Sequence, residues 1–380
     1  MNRAEVVVDH DALAHNVALL ARRAAGSELM AVVKADGYGH GAVAVARTAL
    51  ASGASRLGVC SLDEAAALRT GGITAPILAW LSAPDEDFTG AVADRVDLGV
   101  ASRDDLDAVA AGARRAGVPA RIHLKIDTGL SRNGCPPHDW GDLLDAVAAT
   151  TAAGETEPAA VWSHLAHADA PDHPTLDRQA ARLDDAHRAA TTRLGRRLLT
   201  HVANSAATLT RPDLHRDLVR PGIALYGLDP VGVPDGYGLR PAMTFRSRVF
   251  LVKTVAAGEG VSYGHEWATP DERLLALVPV GYADGVPRRL GGTMTVQLAG
   301  VRRPVVGRVC MDQVVVDLGP ATRPDTPQVH PGDEVLLFGP GDAGEPTAAD
   351  WASWLDTIHY EVVTGVGSRP RVARVARGPR

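Results

Sequence analysis

Between residues 29 and 227, short apolar runs alternate with alanine- and leucine-rich stretches of helical period, and no other feature constrains the fold so strongly. Repeated strand–helix units of this kind pair their strands in parallel. Eight strands are expected, at 29–34, 56–60, 75–80, 96–101, 120–127, 159–165, 198–204 and 217–220. Eight is the number that closes a (β/α)8 barrel. Ser61 and Ser102 are followed three residues later by Glu64 and Asp105, the pattern that caps a helix start. A further helix is expected over 11–25, before the first strand.

Beyond Arg240 the long helical patterns stop. Strands are expected at 244–254, 274–280, 293–298, 305–309, 314–317 and 334–338. The fold class is therefore α/β: a TIM barrel over 1–240 followed by a mostly β C-terminal domain over 241–380. The glycine- and proline-rich segment 229–241 marks the boundary. A strand at 5–8 suits either domain. A chain of 380 residues accommodates two domains of about 150 or more each.

With 46% apolar and 22% charged residues the chain reads as an ordinary globular protein. Its net charge of -6 offers no basic footprint for nucleic acid and no polybasic membrane patch. No apolar run approaches the roughly 20 residues of a membrane span, and residues 1–10 do not look like a secretory signal, so a cytoplasmic location is expected. Cys60, Cys135 and Cys310 are too few and too scattered for a disulfide framework or paired zinc ligands, and read as reduced thiols.

Only three of the 39 basic residues are lysines: Lys34, Lys125 and Lys253. A chain that uses arginine so consistently keeps a lysine where a primary amine is needed, as in Schiff-base chemistry. Lys34 falls at the carboxyl end of the first expected barrel strand, where barrel active sites are built. An apolar strand end also favours the neutral amine that attacks an aldehyde. Barrel phosphate sites commonly use the loops after strands seven and eight. Here those loops read Asn204-Ser205-Ala206-Ala207 and Arg220-Pro221-Gly222-Ile223, a hydroxyl at a helix start and a glycine turn. Together with Lys34 they point to an aldehyde cofactor that bears a phosphate.

The segment AVVKADGYGHG (31–41) resembles the cofactor-binding signature of alanine racemases. Eight further blocks resemble the same family in order: KIDTGLSRNG (125–134), SHLAHAD (163–169), NSAA (204–207), RPGIALYG (220–227), VSYG (261–264), GYADG (281–285), GRVCMDQ (307–313), and YE (360–361) with RPR (369–371) after it. Leu130 departs from the pattern, where methionine is common, and conserves volume.

The resemblance implies pyridoxal phosphate held by Lys34 and interconversion of L-alanine and D-alanine, which supplies D-alanine for bacterial peptidoglycan. Racemisation takes the α-proton from one face of the cofactor–substrate Schiff base and returns one to the other, so two acid–base groups must flank it. Lys34 serves one face. The resemblance assigns the other to Tyr263, whose phenol needs nearby positive charge to act near neutrality. It places Arg220 against the pyridine nitrogen, where most such enzymes carry a carboxylate, and this suppresses transamination. His164 bridges Arg220 towards Tyr263. Tyr38 and Tyr360, with Asn204, Ser205, Gly222 and Ile223, hold the phosphate. Arg132 and Met311 meet the substrate carboxylate, Tyr282 lies at the entrance and Asp312 stands beside Met311. Lys125 matches a lysine that is carbamylated to orient the arginine at 132. A homodimer with shared sites is implied, with Tyr263 and Met311 entering the partner's barrel.

Two rival readings follow from the same lysine strand. A decarboxylase of similar architecture would carry an acid where Arg220 stands. A non-catalytic cofactor carrier would need only the barrel, not the roughly 140 residues that hold Tyr263 and Met311.

Overall fold

The computed structural model describes residues 2–83, 85–233, 236–321, 328–369 and 371–378. The chain divides into two compact units. One comprises Met1–Ala12, Tyr38–Gly41 and Arg240–Arg380; the other comprises Leu13–Gly37 and Ala42–Leu239.

The second of these units is the barrel. Its eight parallel strands are Glu28–Val32, Arg56–Val59, Ile77–Ala79, Val96–Val100, Ala120–Lys125, Thr156–Trp162, Leu199–His201 and Leu218–Val219, matching the eight expected. The eighth pairs with the first. It is drawn to the seventh by two backbone bonds, in which the N–H groups of Asp217 and Arg220 donate to the carbonyls of Thr200 and Ala203 at 3.1 and 2.9 Å. The strand faces are nearly all buried, as a sheet covered by helices requires. Ser61 caps the helix Leu62–Thr70 with a reciprocal capping box to Glu64, and Ser102 caps Arg103–Ala116 through the Asp105 amide.

The other unit is built on a nine-stranded sheet. The strand Ala4–Asp9, which the sequence leaves open between domains, belongs here: it pairs antiparallel with Met243–Arg248 and parallel with Ala373–Arg377. The single strand expected at 244–254 is two strands. Met243–Arg248 pairs with Glu334–Phe338, and Leu251–Val255 pairs with Arg273–Val278. The chain changes partners at Val249 and Phe250, so no continuous ladder could span them. Two helices, Ala348–Leu355 and His359–Gly367, also interrupt the expected all-β texture. The first buries Trp351 edge-on against Phe245 and Phe338, at 6.2 and 5.1 Å between ring centres. Its indole N–H donates to the Leu337 carbonyl at 3.2 Å. Among the described residues no helix is long and apolar enough to cross a membrane.

Candidate active site

The first barrel strand stops at Val32, two residues earlier than expected, and Lys34 opens a tight left-handed turn. Ala35, Asp36 and Gly37 have φ of 52°, 51° and 63°, and Tyr38 continues at 52°. Each non-glycine residue in this region costs about 1–2 kcal/mol, so the turn must be held from outside. Glu64 holds it. One carboxylate oxygen accepts the Ala35 N–H at 2.6 Å, and the other accepts that of Cys60 at 2.7 Å. The Asp36 carboxylate accepts from the Ala42 amide at 2.8 Å. The glycines that follow serve close approach: in its own unit, Gly39 leaves only 2.6 Å between a would-be Cβ and the Val363 carbonyl.

Lys125 ends the fifth barrel strand, directly opposite Trp162 on the sixth. Its ammonium lies 4.4 Å from the indole centre. Burial, with Arg220 and Arg132 nearby, pulls its pKa down to about 8. Arg132 stands exposed on the loop that follows, which Asp127 shapes by accepting the N–H groups of Gly129, Leu130 and Ser131. The half-buried His164 follows the sixth strand. Its carbonyl accepts from Gln179, which also reaches the Thr128 hydroxyl. Burial pushes His164 well below the usual imidazole range, and the charges of Arg220, Arg132, Lys125 and Lys34 press in the same direction. The imidazole is neutral among four cationic side chains.

Arg220 is buried where the eighth strand ends. Its guanidinium donates to His201 Nδ1 at 2.8 Å and to the carbonyls of Ser163 and Val202 at 2.8 and 3.3 Å. It also lies 4.9 Å from the centre of the Trp162 ring. Desolvation lowers its pKa to about 9, so it keeps its charge at neutral pH. The two loops expected to bind a phosphate are joined: the buried Ser205 hydroxyl accepts the N–H of Gly222 at 2.8 Å and that of Ala224 at 3.3 Å. Asn204 caps the short helix Ser205–Thr210, and Ile223 begins the turn Ile223–Tyr226. Nine of the expected residues thus lie in the barrel unit: Lys34, Lys125, Arg132, His164, Asn204, Ser205, Arg220, Gly222 and Ile223.

The other six lie in the unit built on the nine-stranded sheet. Tyr38 and Tyr360 meet there, with ring centres 6.3 Å apart. Tyr263 follows Ser262, whose hydroxyl donates to the Arg308 carbonyl at 2.7 Å. The amides of Tyr282 and Ala283 donate to the carbonyls of Cys310 and Met311, both at 3.0 Å. These bonds tie three loops together, yet Tyr263, Met311 and Tyr282 remain 72%, 52% and 39% exposed. Asp312, expected beside the substrate, is paired with Arg371 at 2.7 Å and lies 3.7 Å from Arg3. Of the RPR block, Pro370 lies outside the described residues.

Four side chains were not singled out from the sequence: Trp162 and His201, which meet Arg220, and His123 and Asp97, which continue from His201. The alternation of strand residues gives a signal for one of them, since His123 shares a face with Lys125 two positions on. The others depend on register between strands.

The family described as "Alanine racemase, N-terminal domain" matches residues 8–230, and "Alanine racemase, C-terminal domain" matches 242–376. The chain belongs to the alanine racemase family. It is 55% identical to the alanine racemase of Salinispora arenicola over the whole of both chains. It is 53% identical to that of Mycobacterium ulcerans, covering 98% of this chain and 95% of the relative. The crystal structure of alanine racemase from the D-cycloserine-producing Streptomyces lavendulae superposes with a TM-score of 0.95 at 47% identity, covering 100% of this chain and 98% of that one. The enzyme from Streptomyces coelicolor A3(2) gives 0.93 at 48% identity, covering 99% and 98%. As a member of this family the chain is an amino-acid isomerase with the barrel and β-domain architecture read from its sequence.

Proposed function

We propose that this chain interconverts L-alanine and D-alanine with pyridoxal phosphate as cofactor, and that Lys34 and Tyr263 are its two acid–base groups. One observation carries the reading: at the carboxyl end of the barrel Lys125 and Arg220 both lie over the Trp162 ring, 4.4 and 4.9 Å from its centre, and Arg220 is bonded to the Ser163 carbonyl beside His164. Such a concentration of positive charge suits an anionic phosphate and a substrate carboxylate together.

The residues fit the cofactor. The Ser205 hydroxyl accepts two N–H bonds, so its own proton is left to donate to a phosphate oxygen. Asn204, Gly222 and Ile223 frame that position, and Tyr38 and Tyr360 would add phenolic hydroxyls. Lys34 would carry the aldehyde carbon, and Arg220, which can only donate, would face the ring nitrogen and keep it unprotonated. Pyridoxal phosphate, when bound, supplies the electron sink that makes the Cα–H of alanine acidic.

The chain's own groups do the rest. Arg132 and Met311 hold the substrate carboxylate so that Cα–H points at a base. For one enantiomer Lys34 Nζ takes the proton while Tyr263 Oη delivers one to the opposite face; for the other the roles exchange. A neutral His164 can accept from Arg220 and pass a hydrogen bond towards the phenol. Tyr282 narrows the entrance. Tyr263, Met311 and Tyr282 are too exposed for a finished site, which supports a homodimer in which they enter the partner's barrel. The three free thiols suit a reducing cytoplasm, where D-alanine would be made for peptidoglycan.

The test is to incubate the purified protein with a panel of L-amino acids and resolve the products by chiral chromatography. L-alanine should approach an equal mixture of enantiomers, and borohydride should fix the cofactor on the peptide containing Lys34. No D-alanine, or label on Lys125 or Lys253, contradicts the reading.

A further inference from the structure

Arg220 is the head of a chain of buried polar groups that crosses the barrel interior. Its guanidinium meets His201 Nδ1 at 2.8 Å, His201 Nε2 meets His123 Nδ1 at 3.0 Å, and His123 Nε2 meets Asp97 Oδ2 at 3.1 Å. These four residues come from the fourth, fifth and seventh strands and the end of the eighth. All are buried, the two imidazoles completely.

The donor inventory settles which way this chain runs. A guanidinium has no acceptor, so His201 Nδ1 must offer a lone pair. Its proton is then on Nε2 and is donated to His123 Nδ1, which leaves the His123 proton on Nε2 for Asp97. An ionised carboxylate only accepts, so the two ends agree. The opposite tautomer of either ring would set two donors, or two lone pairs, against each other between fully buried groups. Burial favours neutral rings at both positions: it lowers the pKa of His123, and it takes that of His201 well below the usual range with the help of the Arg220 charge. Asp97 also faces Arg121 at 3.3 Å and Arg56 at 3.8 Å, and Arg56 is shared with Glu28 at 2.6 Å. Two guanidinium groups thus face the carboxylate end of the chain.

We propose that Asp97, through His123 and His201, is a positioning residue for Arg220: it fixes both imidazole tautomers so that a lone pair, and not a proton, meets the guanidinium. With Nη1 held by His201, and Nη2 by the Ser163 and Val202 carbonyls, the group is fixed over the Trp162 ring. Its remaining N–H directions are fixed with it. The consequence for reaction specificity rests on the reading that Arg220 faces the cofactor's ring nitrogen; the tautomer assignment does not.

The test is 15N NMR of the histidine-labelled holoenzyme, with His123 and His201 assigned by the loss of their signals in His123→Asn and His201→Asn. Both rings should show an unprotonated Nδ1 and a protonated Nε2 throughout the pH range in which exposed histidines titrate. A protonated Nδ1 on His201 in the wild type overturns the proposal outright, with no variant needed. Arg220→Glu places acceptors at both ends of the chain, which two neutral rings cannot satisfy, so the wild-type pair of tautomers should be lost. Asp97→Asn retains an acceptor and should keep the tautomers, whereas Asp97→Leu should mix them and shift the absorption of the bound cofactor. Asp97→Leu should also lower kcat about tenfold with little change in KM, the scale typical of outer-shell partners. Unchanged tautomers and kcat in Asp97→Leu overturn the proposal. Should Arg220→Glu leave the cofactor absorption unaltered, the ring-nitrogen reading fails, and the tautomers still decide the hydrogen-bond chain.

Discussion

The Lys125 ammonium sits 4.4 Å from the centre of the Trp162 indole, with Arg220 4.9 Å from that same ring. Two cations lie over one indole, and burial makes Lys125 the easier of the pair to neutralise: its pKa falls to about 8. A neutral amine adds CO2, forming a carbamate and releasing a proton. The new carboxylate would then orient Arg132 and relieve the crowding of positive charge. With 13C-bicarbonate, NMR should show a carbamate carbon that disappears in Lys125→Ala, and that variant should raise KM for alanine about tenfold, a loss of about 1.4 kcal/mol. An unmodified lysine under bicarbonate contradicts this.

The unmodified Lys125 also makes a pH prediction. Its folded pKa, about 8, lies below the ordinary 10.5, so between these values the unfolded chain binds more protons than the folded one. Its contribution to stability should therefore rise with pH across that window, and the rise should be missing in Lys125→Met. Denaturant midpoints measured without bicarbonate at both ends of the window give the comparison; equal slopes for the two proteins would refute it.

Glu64 unites the strained turn after Lys34 with the start of the next helix. Glu64→Ala strips an ionised acceptor from the Ala35 and Cys60 amides and should cost about 1–3 kcal/mol of stability. It should also weaken cofactor retention, read by the absorbance remaining after dialysis. A variant with wild-type Tm and full occupancy would show that the left-handed turn needs no such support.

Arg220→Glu should slow racemisation about a hundredfold and raise the fraction of turnovers that end as pyruvate and the aminated cofactor. Both products can be followed in one chromatogram. Normal racemisation without added transamination would contradict the role given to Arg220.

Much of this was legible in the sequence because it is local. All eight barrel strands were visible as apolar runs, and the Glu64 and Asp105 caps as fixed spacings. The departures arise where partners distant in the chain decide. The strand at 244–254 divides because its neighbours change at Val249, and Ala373–Arg377 is a strand only because Ala4–Asp9 offers it an edge. The rarity of lysine singles out Lys34, but the turn that carries it depends on a carboxylate 30 residues away. Likewise His123, His201 and Asp97 have no motif among them; strand register brings them together inside the barrel.

The central claim is that proton transfer needs Lys34 of one copy and Tyr263 of another. Two inactive proteins, Lys34→Ala and Tyr263→Phe, are mixed and their subunits allowed to exchange. If Tyr263 works in its partner's barrel, each hybrid dimer has one site with both bases and one with neither. Random exchange makes half the dimers hybrid, so activity should rise to about a quarter of wild type. If Tyr263 instead serves its own chain, every site in every hybrid still lacks a base. Activity that stays at the level of the separate variants, with exchange shown by mass spectrometry, would contradict the account.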